Sequence, residues 1–91
     1  MKDKILGEVF PVKFLIHSTA GDPFHVLSAS YELLNQNGVE EEGDCTITEE
    51  DGKTYLSMTL KPKTSGRYKL QITFVIGEYT FKKRVEFEVR A

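Results

Sequence analysis

The stretch from Gly66 to Ile76 constrains the fold more than any other part of the chain. Its apolar residues occupy every second position, and the residues between them are polar except for Val75. Successive side chains of a β-strand point to opposite faces, so the apolar residues share one face. The sequence therefore predicts a long strand, buried on one side and wet on the other, at the centre of a sheet. The apolar residues are Tyr68, Leu70, Ile72, Phe74 and Ile76.

The rest of the chain repeats this alternation in shorter segments. Asn37-Gly38 and Asp51-Gly52 are typical of tight hairpin turns, and residues 77–78 fit a two-residue turn that begins with glycine. No segment has the apolar stripe of a helix. Six or seven short strands with turns about every ten residues predict an all-β fold, an antiparallel β-sandwich. The further strand segments are 8–17, 24–34, 43–48, 55–60 and 79–90.

Three positions carry more specific expectations about these strands. Pro11 has no backbone N–H to donate, so the first strand is expected at a sheet edge or bulged. The apolar residues change from even-numbered to odd-numbered positions near Leu27-Ser28, which predicts a bend there. Cys45 and Ile47 are expected to point inward, with Cys45 as a small core residue rather than an activated thiol.

Length and charge bound the organisation of the chain. We expect a single domain over residues 1–91, with residues 1–7 as a loose N-terminal tail. Residues 1–60 carry four basic and eleven acidic side chains, a balance of −7, and residues 61–91 carry eight basic and three acidic ones, a balance of +5. Such an asymmetry orients a molecule in an assembly, unless folding interleaves the two halves.

The beginning of the chain contains no apolar core of a signal peptide, and no apolar run approaches the ~18 residues that span a bilayer. We therefore expect cytoplasmic synthesis without a signal peptide, and no membrane insertion.

Residues 65–70 resemble the start of strand F in immunoglobulin-like domains. Gly66 and Tyr68 match the Gly-X-Tyr pattern, in which the tyrosine hydroxyl bonds back to the main chain at a corner. Leu70 stands where true immunoglobulin domains have their second cysteine, and the chain has no tryptophan for strand C. The resemblance implies an immunoglobulin-like β-sandwich of a different type from antibody and receptor domains, with Gly66 and Tyr68 as a structural corner.

A broader resemblance covers residues 8–90. In the order of its turns and core segments, the chain is similar to small immunoglobulin-like proteins encoded in bacteriophage and prophage structural regions. This resemblance implies a virion or assembly role and carries no catalytic residues. The segments concerned are Gly21-Asp22-Pro23-Phe24, Ala29-Ser30-Tyr31-Glu32-Leu33, Gly43-Asp44-Cys45-Thr46-Ile47, Leu60-Lys61-Pro62 and Gly66-Arg67-Tyr68-Lys69-Leu70.

Four basic residues of the last two strands form the candidate interaction face. If residues 77–78 form the turn, all four point outward from one sheet, and Glu86 lies opposite Lys69 and Glu88 opposite Arg67. A nucleic acid is disfavoured because the aromatic residues belong to the inward set and the chain is acidic overall. A protein partner with an acidic surface, or self-association, is favoured. The four residues are Arg67, Lys69, Lys82 and Arg84.

The alternative function is a module that binds a carbohydrate or another surface ligand, with Tyr55 as the candidate aromatic. His17 and His25 flank a turn and could share a metal, but no third ligand stands at a familiar spacing. The acidic run within residues 40–51 fits a solvated edge better than a calcium site. No nucleophile elbow, paired-histidine motif or phosphate loop is present, so we expect neither an enzyme nor a cofactor.

Overall fold

The computed structural model describes residues 4–16 and 24–91 of the chain, which form eight strands. In chain order these are β1 (Lys4–Ile5), β2 (Phe10–Ile16), β3 (Val26–Asn35), β4 (Gly38–Asp44), β5 (Thr46–Glu50), β6 (Lys53–Leu60), β7 (Gly66–Ile76) and β8 (Tyr79–Arg90). One sheet has five strands in the order β1-β8-β7-β3-β4, and the other has three in the order β2-β6-β5. The predicted all-β sandwich is confirmed. Every strand pair is antiparallel except β1 with β8.

The strand order is that of an immunoglobulin-like sandwich. If β2 to β8 are named B, C, C′, D, E, F and G, one sheet is GFC extended by C′, and the other is BED. The strand that resembles strand F, β7, thus occupies the position of F. It lies between β8 and β3, the two neighbours with which it pairs along most of its length.

The core lies on the face of β7 that the alternation predicts. Tyr68, Leu70 and Ile72 are at most 1% exposed, while Ile76 at the end of the strand is only half-buried. Burying each such side chain contributes roughly 1.5–3 kcal/mol to folding. The fully buried leucines of the core come from both sheets, which closes one hydrophobic core between them; they are Leu33, Leu56, Leu60 and Leu70.

Local expectations about β2 and β3 are confirmed. Pro11 lies in β2, which is an edge strand of the three-stranded sheet. The pairing of β3 with β7 shifts register between Val26 and Ser28, so the predicted bend is a β-bulge. A bulge inserts one residue and reverses the faces beyond it, which explains why Val26 and Ala29 are both buried although their parity differs.

The turns follow from backbone geometry at glycine. Gly77 has φ +60°, and Gly77 and Glu78 together connect the paired residues Ile76 and Tyr79, as in the predicted type II′ turn. Asp51 and Gly52 both have positive φ (50° and 75°), as a type I′ turn requires.

The acidic segment departs from the sequence-based expectation. The predicted third strand over residues 43–48 is two strands, because β4 pairs with β3 and the chain crosses at Cys45 to the other sheet as β5. Cys45 is buried as expected. Ile47 lies opposite the fully buried Leu56 and so faces inward as expected, but on the edge strand β5 it remains 36% exposed. Gly38 is not inside the turn: it pairs with Asn35 at the start of β4.

The described residues therefore contain more strands than the six or seven expected from the sequence. The acidic segment 38–44 is a full strand rather than a turn region. Lys4 and Ile5, expected within a loose tail, pair in parallel with Val89 and Arg90. Residues 1–3 and 17–23 lie outside the described part of the chain.

Candidate interaction surface

The outward face of β7 and β8 has the register that the two-residue turn predicts. Arg67 lies opposite Glu88 and Lys69 opposite Glu86. The Nζ atom of Lys69 is 3.9 Å from Oε1 of Glu86, and both side chains are more than half exposed. Such an exposed pair contributes well under about 1 kcal/mol to stability, so its effect is to neutralise charge locally rather than to hold the sheet together.

The other two candidate cations lie towards the hairpin end and face neutral residues. Lys82 is opposite Thr73, and Arg84 is opposite Gln71, to whose Oε1 it donates a hydrogen bond of 3.1 Å from Nη2. The four basic residues consequently share one sheet face, but they form two separate pairs. Only the pair Lys82 and Arg84 lacks a glutamate directly opposite on β7.

The hairpin end also presents aromatic side chains that sequence reasoning assigned to the core. Tyr79 is 71% exposed and Phe81 45% exposed, although both belong to the inner face of the sheet. The rings of Phe81 and Phe74 stack with centroids 5.4 Å apart, and Tyr79 lies 6.5 Å beyond Phe81. Burial declines along β8 from Phe87 towards this end. The alternation therefore predicted the correct face of the sheet, but it could not predict where the opposite sheet stops covering that face.

The predicted corner residues lie at the start of β7, next to the loop that precedes it. Gly66 has φ +125°, a left-handed conformation that glycine adopts without a steric penalty. The hydroxyl of Tyr68 is 2.8 Å from Oε1 of Glu40 and 3.2 Å from the backbone N of Thr64, four residues earlier. One hydroxyl has one proton, and the carboxylate is the stronger acceptor, so Tyr68 donates to Glu40 and accepts from Thr64.

Two glutamates of the acidic strand β4 contribute hydrogen bonds to this corner. Oε2 of Glu40 accepts a hydrogen bond from the backbone N of Lys63 at 3.1 Å, and Oε2 of Glu41 accepts one from that of Lys61 at 3.3 Å. These two carboxylates hold the β6–β7 loop against β4. Within residues 4–16 and 24–91, no three His, Cys, Asp or Glu side chains converge as a metal site would require.

Tyr55, the candidate ligand aromatic, lies in the middle strand of the smaller sheet and is partly covered. The ammonium of Lys13 sits 4.3 Å from the centroid of its ring, and the same ammonium is 3.8 Å from Oε2 of Glu50. A cation over an aromatic face is attracted by the ring quadrupole. One face of the ring is therefore occupied by a side chain of the protein itself.

Among the described residues, the remaining candidate groups do not form a reactive cluster. His25 is exposed, with Nδ1 3.0 Å from Oε1 of Glu49, and His17 lies outside the described residues. Burial, and to a lesser degree the charge of Asp44, raises the pKa of Cys45 to about 11. The Cys45 thiol is thus protonated at neutral pH. Burial, together with the hydrogen bond and charge of Glu41, also raises the pKa of Tyr31.

Comparison with known proteins supports the fold alone. No protein-family model matches the chain, and no curated protein does. A crystal structure of an engineered protein determined by the Northeast Structural Genomics Consortium is similar over 99% of this chain, with 14% identity and a TM-score of 0.76. The match spans only 18% of that larger protein.

A second similar structure is CopC from Methylosinus trichosporium OB3b, with 16% identity and a TM-score of 0.65. That match covers 97% of this chain and 83% of CopC. Both comparisons define the class of the protein as a small β-sandwich domain. Among the described residues, no helix is long and apolar enough to cross a bilayer.

Proposed function

We propose that this protein is a non-catalytic structural or assembly domain that acts through contacts with other proteins. The observation that carries the proposal is the end of the β7–β8 hairpin. There, Tyr79 and Phe81 are exposed on the inner face of the sheet, and the cations Lys82 and Arg84 lie on the outward face of the same strand. Aromatic residues and arginine are the side chains most enriched in protein–protein interfaces and their energetic centres.

The electrostatics favour a protein surface that is acidic. Lys82 and Arg84 face Thr73 and Gln71 rather than carboxylates, so their charge is available to a partner. The exposed rings of Tyr79 and Phe81 provide apolar area on the opposite face of the same hairpin end. The resemblance to immunoglobulin-like proteins of phage and prophage structural regions supports a place in a virion or its assembly, where such domains act by binding neighbouring proteins.

The ligand-binding alternative depends on Tyr55, and the geometry disfavours it. Sugar-binding aromatics offer an open ring face, but the ammonium of Lys13 lies over the ring of Tyr55 at 4.3 Å. We therefore give the protein-contact function precedence.

Site-specific photo-crosslinking in the producing cells tests the proposal. A photoreactive amino acid replaces Thr80, which lies on the exposed hairpin end, or Asp51, which lies in an exposed turn of the other sheet and serves as the control. We expect a discrete protein adduct from position 80, identified by peptide mass spectrometry, and none from position 51. Absence of any protein adduct at position 80, or equal adducts at both positions, would refute a role for this surface in protein contacts.

A further inference from the structure

The outer edge of β8 is the longest stretch of sheet edge that the described residues leave uncovered. β8 spans Tyr79–Arg90, yet its pairing with β1 involves only Val89 and Arg90. An edge strand presents a row of backbone donors and acceptors that another strand can use. The edge from residue 80 to residue 88 is therefore a template for strand addition.

The register shows which backbone groups point to this edge. Residues of an antiparallel pair alternate between those that exchange hydrogen bonds and those that do not, and a two-residue turn makes Ile76 and Tyr79 an exchanging pair. Odd-numbered residues of β8 thus bond to β7, and even-numbered ones point their N–H and C=O to the free edge. The contact at β1 agrees, because the backbone N of Leu6 donates to the C=O of Arg90.

The even-numbered side chains carry a charge order that selects a partner. Along the outward face of β8, Lys82 and Arg84 are followed by Glu86 and Glu88. Val85 is the midpoint of this row, with the positive charges on one side of it and the negative charges on the other. A strand that runs antiparallel to β8 and has the same sequence therefore presents an opposite charge to each of these four residues.

We propose that two copies of this chain associate through antiparallel pairing of their β8 strands, with Val85 on the two-fold axis. Lys82 of each copy then faces Glu88 of the other, and Arg84 faces Glu86. The pairing extends over residues 82–88 and stops before β1. It joins the two five-stranded sheets into one, and it rests on the proposed function, since it names the partner as a second copy.

Alternative registers are disfavoured by like charges. A shift of the two-fold axis to Arg84 or to Glu86 places that residue against its own copy, and like charges directly opposite are destabilising. A one-residue slip would place core-facing side chains opposite outward ones, which strand pairing does not allow. Lys83, which points to the inner face, does not block the edge, because its ammonium lies 4.9 Å over the ring of Phe14 within its own copy.

The Lys69–Glu86 ion pair of each copy extends across the proposed interface. Glu86 would lie between Lys69 on its own β7, now at 3.9 Å, and Arg84 of the second copy. Alternating charges in such a row make the association weaker as salt rises, because exposed pairs are screened. The same charges discourage strand addition by chains of other sequence.

Charge reversal and sedimentation velocity test the proposal. We expect the purified full chain to form a dimer that weakens at high salt. The double variants K82E/R84E and E86K/E88K should each raise the dimer dissociation constant by roughly 30-fold or more, and an equimolar mixture should recover a heterodimer. The control K53E makes a single charge reversal in the other sheet and should leave the dimer unchanged. Circular dichroism melting establishes that each variant is folded.

A disulfide test reports the register directly. In a Cys45→Ala background, Val85→Cys should form an intermolecular disulfide rapidly, because a non-bonded pair on the axis brings Cα atoms to about 4.5 Å. Thr80→Cys, far from its counterpart in this register, should not. A monomeric parent chain with no cross-link at position 85 would overturn the inference. So would a dimer that both charge variants retain, or equal cross-linking at position 80.

The two proposals fail separately. If the chain is monomeric but position 80 captures a different protein in cells, the protein-contact function stands and the self-pairing falls. If neither a dimer nor an adduct is found, both fall.

Discussion

Replacing Tyr68 by phenylalanine removes one hydroxyl from the corner that joins β4 to the loop before β7. Tyr68 is 1% exposed, so water does not replace the lost partner. The substitution deletes a charge-assisted bond to Glu40 (2.8 Å) and the acceptor of the Thr64 N–H (3.2 Å). Bonds of these two kinds contribute about 1.5–3 and about 1 kcal/mol, respectively.

The expected loss lies towards the lower end of their sum. Glu40 keeps its hydrogen bonds from the side-chain amide of Asn35 and the backbone N of Lys63, so its carboxylate is not left without donors. We therefore expect Tyr68→Phe to lower the free energy of unfolding by about 2.5–3 kcal/mol, measured by urea denaturation. For a domain of this size the midpoint of thermal unfolding would fall by roughly 10–20 °C.

Tyr31→Phe is the matched control. Its hydroxyl also donates to a glutamate of β4, Glu41 at 3.1 Å, but Tyr31 is only half-buried, so water can take the place of the lost bond. We expect a loss below about 1 kcal/mol. If Tyr68→Phe costs no more than Tyr31→Phe, the corner does not stabilise the fold in the way argued.

A double-mutant cycle separates the bond to Glu40 from other effects of the substitution. Combining Tyr68→Phe with Glu40→Gln should show a coupling energy of about 1 kcal/mol or more, because the two groups are in direct contact. Glu42→Gln, on an exposed residue of the same strand, should show none. Equal coupling in both cycles would contradict the assignment of Glu40 as the acceptor.

Three further predictions test the backbone, the core and the thiol. Gly66→Ala should destabilise by more than about 1 kcal/mol because φ is +125°, whereas Ser65→Ala next to it should be nearly neutral in the same denaturation assay. Leu70→Ala, at a fully buried site, should cost about 2–5 kcal/mol, and a loss below that of Ser65→Ala would place Leu70 outside the core. Because the pKa of Cys45 is raised from 9.0 to about 11, the folded protein holds this proton more tightly than the unfolded chain. Stability should therefore fall as pH rises through that window, and Cys45→Ala should show a shallower fall; identical slopes would contradict the shift.

Much of the fold could be predicted because strand alternation is a local property. The face of β7 that Tyr68, Leu70 and Ile72 share is dictated by the pleat, which places every second side chain on one side. The bulge near Ser28 could be recognised because the apolar residues change there from even-numbered to odd-numbered positions. Gly77 marks a turn that requires positive φ. Each of these features depends on a few consecutive residues, so each can be recognised in the sequence.

The candidate surface could be predicted only in part. The register of β7 and β8 followed from the short turn, and with it the positions of Lys69 and Glu86. The exposure of Tyr79 and Phe81 could not be predicted, because it depends on how far the opposite sheet extends over the hairpin. Alternation assigns a residue to a face, but it does not say whether anything covers that face.

The acidic segment gives the same contrast most clearly. Glu40 and Glu41 have the composition of a solvated turn, and local propensity offers no reason to place them in a strand. Their carboxylates accept hydrogen bonds from the loop amides of Lys61 and Lys63, some twenty residues further along the chain. By itself, the sequence determined which side chains face the core and where the chain reverses, because backbone geometry sets both locally. The tertiary structure decided strand order, the partners of the acidic residues and the edge of β8 that the described residues leave unpaired, because these depend on pairing between distant segments.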